Sequence, residues 1–363
     1  MKTLMQRPLR FKSGQRGLSL VELMIGMALG LIVTAGIVYI YLGSRQSYKM
    51  QDNMARIQEN GRYAMEILSR EIRMAGYQGC SSATFTNTIN PQTAAADNYA
   101  WDFTRSAIEG YNATGSGTWS SVTSGSPATA VSVSNIDAAV VSGTDVISLR
   151  TTDNLNISIV GQPTDNNCSG TTADLKVTSN TQLSDGMIVM ATNCSHAAVF
   201  QITNFNSSQN VVHNTGTGTP GNATKDMGAC FVGGEIVGIS AKSYYIRNNP
   251  AGVPALYRKI GAGTTDVKEL VDGIENMQIQ YGVDNDGNGS IDQYVDAGHA
   301  SLDSADEWKN VRSVRISLLL VSQDNNVTDA PQKYVYNGST VTPTDRRLRY
   351  VFTSTIGVRN RLQ

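Results

Sequence analysis

Nine residues, Asp284-Asn-Asp286-Gly-Asn288-Gly289-Ser290-Ile291-Asp292, carry the sharpest chemical pattern in the chain. Oxygen-bearing side chains recur at every second place, and that spacing lets one turn converge hard ligands on a calcium ion. Asp284, Asp286 and Asn288 would offer side-chain oxygens, Ser290 its carbonyl, and Asp292 a direct or water-bridged carboxylate. Gly289 permits the sharp turn and Ile291 is expected to face the core. Val295 stands at the twelfth place, where an EF-hand needs a bidentate Glu, and the flanks read as strands. The expectation is an EF-hand-like Ca2+ loop on a hairpin, set against a metal-free Asp/Gly turn. Carboxylates gathered this closely repel without a cation, which favours the ion.

A second chemical signal is Glu22, a carboxylate inside the apolar run Leu18 to Leu42. An ionisable group in such a run is costly in lipid and marks function unless it snorkels to the interface. A third is the set of four cysteines, Cys80, Cys168, Cys194 and Cys230. In an exported domain they predict two disulfides, with three possible connectivities. No C-x-x-C occurs, and His196, His213 and His299 are scattered, so zinc is not indicated. The phosphate-cradle, zincin and nucleophile-elbow motifs are absent, so nothing in the sequence suggests an enzyme. A net charge of -1 excludes general nucleic-acid binding. Arg346, Arg347, Arg349, Arg359 and Arg361 read as a solvated strand face rather than a specific nucleic-acid site.

The elements that must position these groups begin with the apolar run. At 1.5 Å per residue it makes a helix of roughly 37 Å, enough to cross a bilayer core of about 30 Å. The segment before it holds Lys2, Arg7, Arg10, Lys12 and Arg16 and no acid. That asymmetry places the N-terminus in the cytoplasm and the C-terminal bulk across the membrane. The run is long for a secretory signal and no small-residue cleavage site follows it, so it reads as a retained anchor. Gly26 and Gly30 form a G-x-x-x-G pair that permits close helix packing.

The junction Arg16-Gly17-Leu18-Ser19-Leu20-Val21-Glu22 resembles the class III signal of type IV pilins and type II secretion pseudopilins. That resemblance implies cleavage by prepilin peptidase between Gly17 and Leu18, N-methylation of Leu18, and a docking role for Glu22 against the N-terminal amine of a neighbouring subunit. Met74-Ala-Gly-Tyr-Gln-Gly-Cys80, Tyr281-Gly-Val-Asp284, Trp308-Lys-Asn-Val-Arg-Ser-Val314 and Arg359-Asn-Arg-Leu362 are similar to the PilW-type minor pilins. The resemblance implies an inner-membrane, single-pass subunit with a periplasmic domain that joins the pilus or its tip and primes assembly. Implied partners are other minor pilins, the major pilin, a PilY-type tip adhesin and the inner-membrane assembly platform. The alternative within the superfamily is a large, GspJ-like minor pseudopilin of a type II secretion system.

Beyond Leu42 the apolar positions Met50, Met54, Ile57, Gly61, Ala64, Leu68, Ile72 and Ala75 recur at spacings of three and four. The spacing predicts that the helix continues as one amphipathic stripe and stops at Gly76. From Asp145 onward, alternation predicts half-buried strands near 237–245, 277–283, 314–320 and 350–358. Weaker strands are expected at 145–151, 187–191 and 198–203. The predicted fold is α+β: a pilin-like lollipop with a long N-terminal helix packed on an antiparallel sheet. Its expected parts are a leader (1–17), a transmembrane half-helix (18–43), an amphipathic half-helix (44–76), a polar loop-rich segment (77–144) and a β-rich domain (145–363).

Overall fold

A computed structural model describes residues 17, 19–76, 84–90, 100, 106–115, 117–120, 133–162, 172–216, 218–261, 266–304 and 306–358. The chain divides into two compact units, residues 1–52 and 53–363.

One helix, α1, runs from Leu20 to Met74. No proline interrupts it, and its end is set by Gly76, whose φ of +75° is left-handed backbone that glycine adopts without strain. The Gly76 N–H then donates to the Arg150 carbonyl, tying the helix end to a strand. In the first unit every side chain from Leu20 to Leu42 is exposed. In the second unit Asn53, Ile57, Gly61, Ala64, Leu68 and Ile72 form one buried stripe.

The strands, in chain order, are β1 (Thr84–Asn87), β2 (Ile108–Gly115), β3 (Thr118–Ser120), β4 (Val146–Gly161), β5 (Asp174–Val177) and β6 (Ile188–Thr192). There follow β7 (His196–Gln201), β8 (Asn204–Asn206), β9 (Asn210–Val212), β10 (Glu235–Asn248), β11 (Pro254–Ile260) and β12 (Val267–Asp272). The last six are β13 (Ile274–Val283), β14 (Gln293–Asp296), β15 (Val311–Val321), β16 (Tyr334–Tyr336), β17 (Ser339–Val341) and β18 (Arg349–Gly357). A short helical turn, α2, spans Val133–Ile136. Among its described residues the segment 77–144 contributes β1, β2 and β3, and β2 pairs with β4, so the folded domain begins before Asp145.

Two sheets organise the second unit. A four-stranded antiparallel sheet has the order β14-β13-β15-β18, and a larger sheet is centred on β10 and β4. The helical stripe, Ile57 through Ala75, lies in one core with Met277, Ile279 and Tyr281 of β13, Val314, Ile316 and Leu318 of β15, and Tyr244 and Ile246 of β10. Gly61 is required there, because a Cβ would overlap the Phe352 ring. Residues between β4 and β10 form a separate core around Leu175, Val189, Phe200, Val211 and Phe231.

The fold therefore has the expected α+β composition: one long N-terminal helix and a large β-rich domain. One detail differs. β10 was expected to be half-buried, yet both its faces are covered: Tyr244 and Ile246 face the helical core, while Ala241 and Tyr245 join a third cluster with Tyr111, Val133 and Tyr257. Two-sided coverage turns an alternating strand into a central one.

Candidate functional site

The processing end lies at the start of α1. Gly17 is exposed, and Leu18 lies outside the described residues. The helix opens where the Leu23 N–H donates to the Ser19 carbonyl at 3.1 Å. Glu22 sits in the first turn, where the free N–H groups favour a negative charge. Its side chain is exposed among exposed Leu20, Val21, Leu23 and Met24. Among the described residues nothing beyond the helix's own backbone lies within 4 Å of where a Cβ would stand on Gly26 or Gly30, which leaves that helix surface open to a close neighbour. The Thr34 hydroxyl donates to the Gly30 carbonyl at 2.7 Å, so the one hydroxyl in mid-span is satisfied within the helix. Length and composition make this helix able to cross a membrane.

The acidic loop connects β13 to β14 as a hairpin. Carboxylate oxygens of Asp284, Asp286 and Asp292 lie within 4.8 Å of one another. Two ligands across a calcium ion stand about 4.6–5.2 Å apart, so this grouping fits such an ion. Asn288 is used differently from the expectation: its Oδ1 accepts from the Ser290 N–H at 2.7 Å, and its Nδ2 donates to Asp286 at 2.9 Å. Val295 is buried and pairs with Tyr281, so the twelfth place points inward and offers no ligand. Ile291 was expected in the core but is 37% exposed. Its side chain lies over Gly282 of β13, at the open end of the hairpin turn.

Sequence reading did not find the loop's resident cation. Arg312 at the start of β15 donates to Asp284 from Nε at 3.1 Å and sits 2.9 Å away through Nη2. Asp284 also accepts from the N–H groups of Asn288 and Gly289. Desolvation pushes its pKa upward, but the Gly289 and Gly287 N–H groups and Arg312 together hold it below the usual carboxylate value. Arg312 is remote from the loop in sequence, and no spacing rule links them.

Asp145 was likewise not singled out. Its Oδ1 accepts from the Ala113 N–H at 2.9 Å and its Oδ2 from the Ile279 N–H at 2.8 Å, joining β2 to β13 across the two sheets. Burial pushes its pKa up to about 7 against those two donors, and the charge of Asp296 adds to the rise. Beside it the Tyr281 hydroxyl is buried without a hydrogen-bond partner among the described residues. It packs edge-on against Trp308, with ring centroids 4.7 Å apart.

The remaining expected groups fall as follows. Cys194 and Cys230 each take part in a disulfide, and Cys80 and Cys168 lie outside the described residues. Arg349 is bound to Glu275 and Asp345, and Arg346 donates to Asn326. Arg359 and Arg361 lie outside the described residues. His213 is fully buried, and neither ring nitrogen has a hydrogen-bond partner among the described residues.

Comparison with known proteins bears on both ends of the chain. Residues 12–38 match the prokaryotic N-terminal methylation motif, and residues 243–360 match the family described as type IV pilus-assembly protein W. Over those residues the chain is similar to type IV pilus minor pilins of the PilW type. No curated protein and no solved structure matches it. The PilW match begins within β10 and takes in the four-stranded sheet and the acidic loop. The methylation match takes in Gly17, Leu18, Glu22 and most of the apolar run. The separate core between β4 and β10 lies outside both matches.

Proposed function

We propose that this PilW-type chain primes the assembly of type IV pili. Prepilin peptidase cuts between Gly17 and Leu18, and Leu18 becomes the N-methylated N-terminus. The span Leu18–Leu42 holds the subunit in the inner membrane, with its N-terminus cytoplasmic and its folded domain periplasmic. Glu22 pairs with the terminal amine of a neighbouring subunit, other minor pilins and the major pilin among them, and the helix enters the pilus or its tip. The role is structural rather than enzymatic.

The observation that carries this reading is the continuity of α1. A methylation motif, an apolar exposed surface with one carboxylate in its first turn, and a stripe buried under a PilW-matched domain occur in one helix. An unpaired carboxylate in lipid costs a few kcal/mol, and a cationic amine at the same depth offsets that cost. Mass spectrometry of the protein from piliated cells tests the first step: N-methyl-Leu18 is expected, and a retained Met1 start would refute it. Co-purification from membranes separates this reading from a secretion pseudopilin: pilus subunits are expected, and secretion subunits in their place would reverse it.

We further propose that the acidic loop takes calcium, with Asp284, Asp286 and Asp292 as its carboxylate ligands. Their spacing supports this, and Arg312 leaves two of the three negative charges uncompensated. Calcium is expected to raise the melting temperature of the full chain in detergent. Asp286→Asn with Asp292→Asn, which spares the Arg312–Asp284 pair, should abolish that rise. Indifference of the unaltered chain to calcium and chelator would reduce the loop to a hydrogen-bonded turn.

A further inference from the structure

Sheet edges expose unpaired N–H and C=O groups, and folded proteins blunt them with short strands, charges, bulges or prolines. Most edges of this domain follow that rule. β1 and β14 have four residues each, and β3 and β8 have three. β12 carries Lys268 and Glu269, and a register shift interrupts its pairing with β11.

β18 does not follow it. It has nine residues and ends the four-stranded sheet, and among the described residues no strand pairs with its outer edge. Its register with β15 is unbroken from Ser313↔Gly357 to Val321↔Arg349. From Tyr350 to Val358 it contains no charged residue and no proline. The Val358 N–H donates to Arg312 and the Ser322 N–H donates to the Leu348 carbonyl. In an antiparallel ladder this phase assigns the even-numbered residues of β18 to β15 and turns the backbone groups of Val351, Thr353 and Thr355 outward. Those three are β-branched, the residue class that best suits a strand, and Thr353 and Thr355 are exposed. Phe352, on the same strand, packs on Gly61 of α1.

We propose that the outer edge of β18 is a β-augmentation site that takes an extended strand from a different, neighbouring pilus subunit. This rests on the pilin reading, which brings other subunits alongside α1. Backbone hydrogen bonds from Val351, Thr353 and Thr355 supply the attachment. The absence of charge from Tyr350 onward matches an uncharged partner strand. The added strand extends the sheet that already covers the buried stripe of α1.

The test uses the full chain in cells. Thr353→Pro removes one outward N–H while leaving the β15 ladder donors in place. Thr353→Lys with Thr355→Lys places two charges at exposed positions of the same edge and spares the core. Both variants are expected to melt as the unaltered chain does, to be processed normally and to lose surface pili, while Thr353→Val with Thr355→Val retains them. Normal piliation by the two-lysine variant would overturn the proposal. So would a homodimer of the unaltered chain in detergent that this variant dissolves, because the edge would then pair with its own copy. Loss of pili in Glu22→Ala with retention in the two-lysine variant would keep the pilin reading and reject the edge.

Discussion

The two halves of α1 differ more from each other than most separate helices do. From Leu20 to Leu42 the helix is apolar on all sides and wholly exposed, with Leu20, Leu31 and Ile40 each at least 70% accessible. From Asn53 to Met74 it is polar on most sides and buries a single stripe, in which Ala64, Leu68 and Ile72 are inaccessible. An all-round apolar surface demands an all-round apolar surrounding, which only lipid or other helices can supply. A single stripe demands one sheet, and the chain carries that sheet itself. The difference teaches that the first half is addressed to partners outside the molecule and the second half to the molecule's own core.

The largest expected effect separates the halves by function. Glu22→Ala should abolish piliation while leaving membrane insertion and the melting of the domain unchanged. Normal piliation by that variant would remove the distinction between an outward-addressed and an inward-addressed half. Next, Leu68→Ala empties a fully buried site and should cost about 2–5 kcal/mol of domain stability by thermal or denaturant melting. Leu31→Ala, at an exposed site in the other half, should leave that melting unchanged; equal losses would show that both halves belong to one core.

A smaller effect should come from an ion pair between the stripe's helix and the large sheet. Lys242 Nζ lies 3.0 Å from Glu71 Oε2, with both side chains largely buried. Lys242→Met should cost about 1.5–3 kcal/mol, the range for a hydrogen bond to a charged group. A double-mutant cycle with Glu71→Gln checks whether that cost belongs to the pair.

A further expected effect is a slope with pH. The Asp145 carboxyl titrates near 3.8 when unfolded and at about 7 when folded. Between those values the folded chain binds more protons than the unfolded one. Its stability should therefore fall as pH rises from about 4 to about 7 and level off above. Asp145→Asn should flatten that slope in a pH series of melting curves. A slope that persists in the variant would assign the effect to other groups.

Much of the helix was legible because its signals are local. Gly17, Leu18 and Glu22 are read from one stretch of chain, and the stripe from spacings of three and four. The acidic loop was legible for the same reason, since its ligands recur every second residue. Three positioning residues were not legible. Asn53 is buried in the stripe because its Nδ2 donates to Asp324, a partner more than two hundred residues away. Arg312 neutralises Asp284 from the far end of a loop, and Asp145 joins two strands that only the fold brings together. Polar residues in polar surroundings carry no periodic signal, so their burial cannot be read before the partners are placed.

The sequence by itself determined the apolar run, the N-terminal methylation motif, the helical stripe, the position of the acidic turn and the β-rich character of the rest. Each follows from hydropathy, charge asymmetry or short-range spacing, which need no knowledge of distant residues. Only the tertiary structure decided that β10 is covered on both faces, that Val295 points inward and Ile291 outward, and that β18 is a long edge with no outer partner strand among the described residues. Those features depend on which strands pair and in what register, and backbone hydrogen bonding between strands is nearly the same for any sequence until the packed side chains select one arrangement.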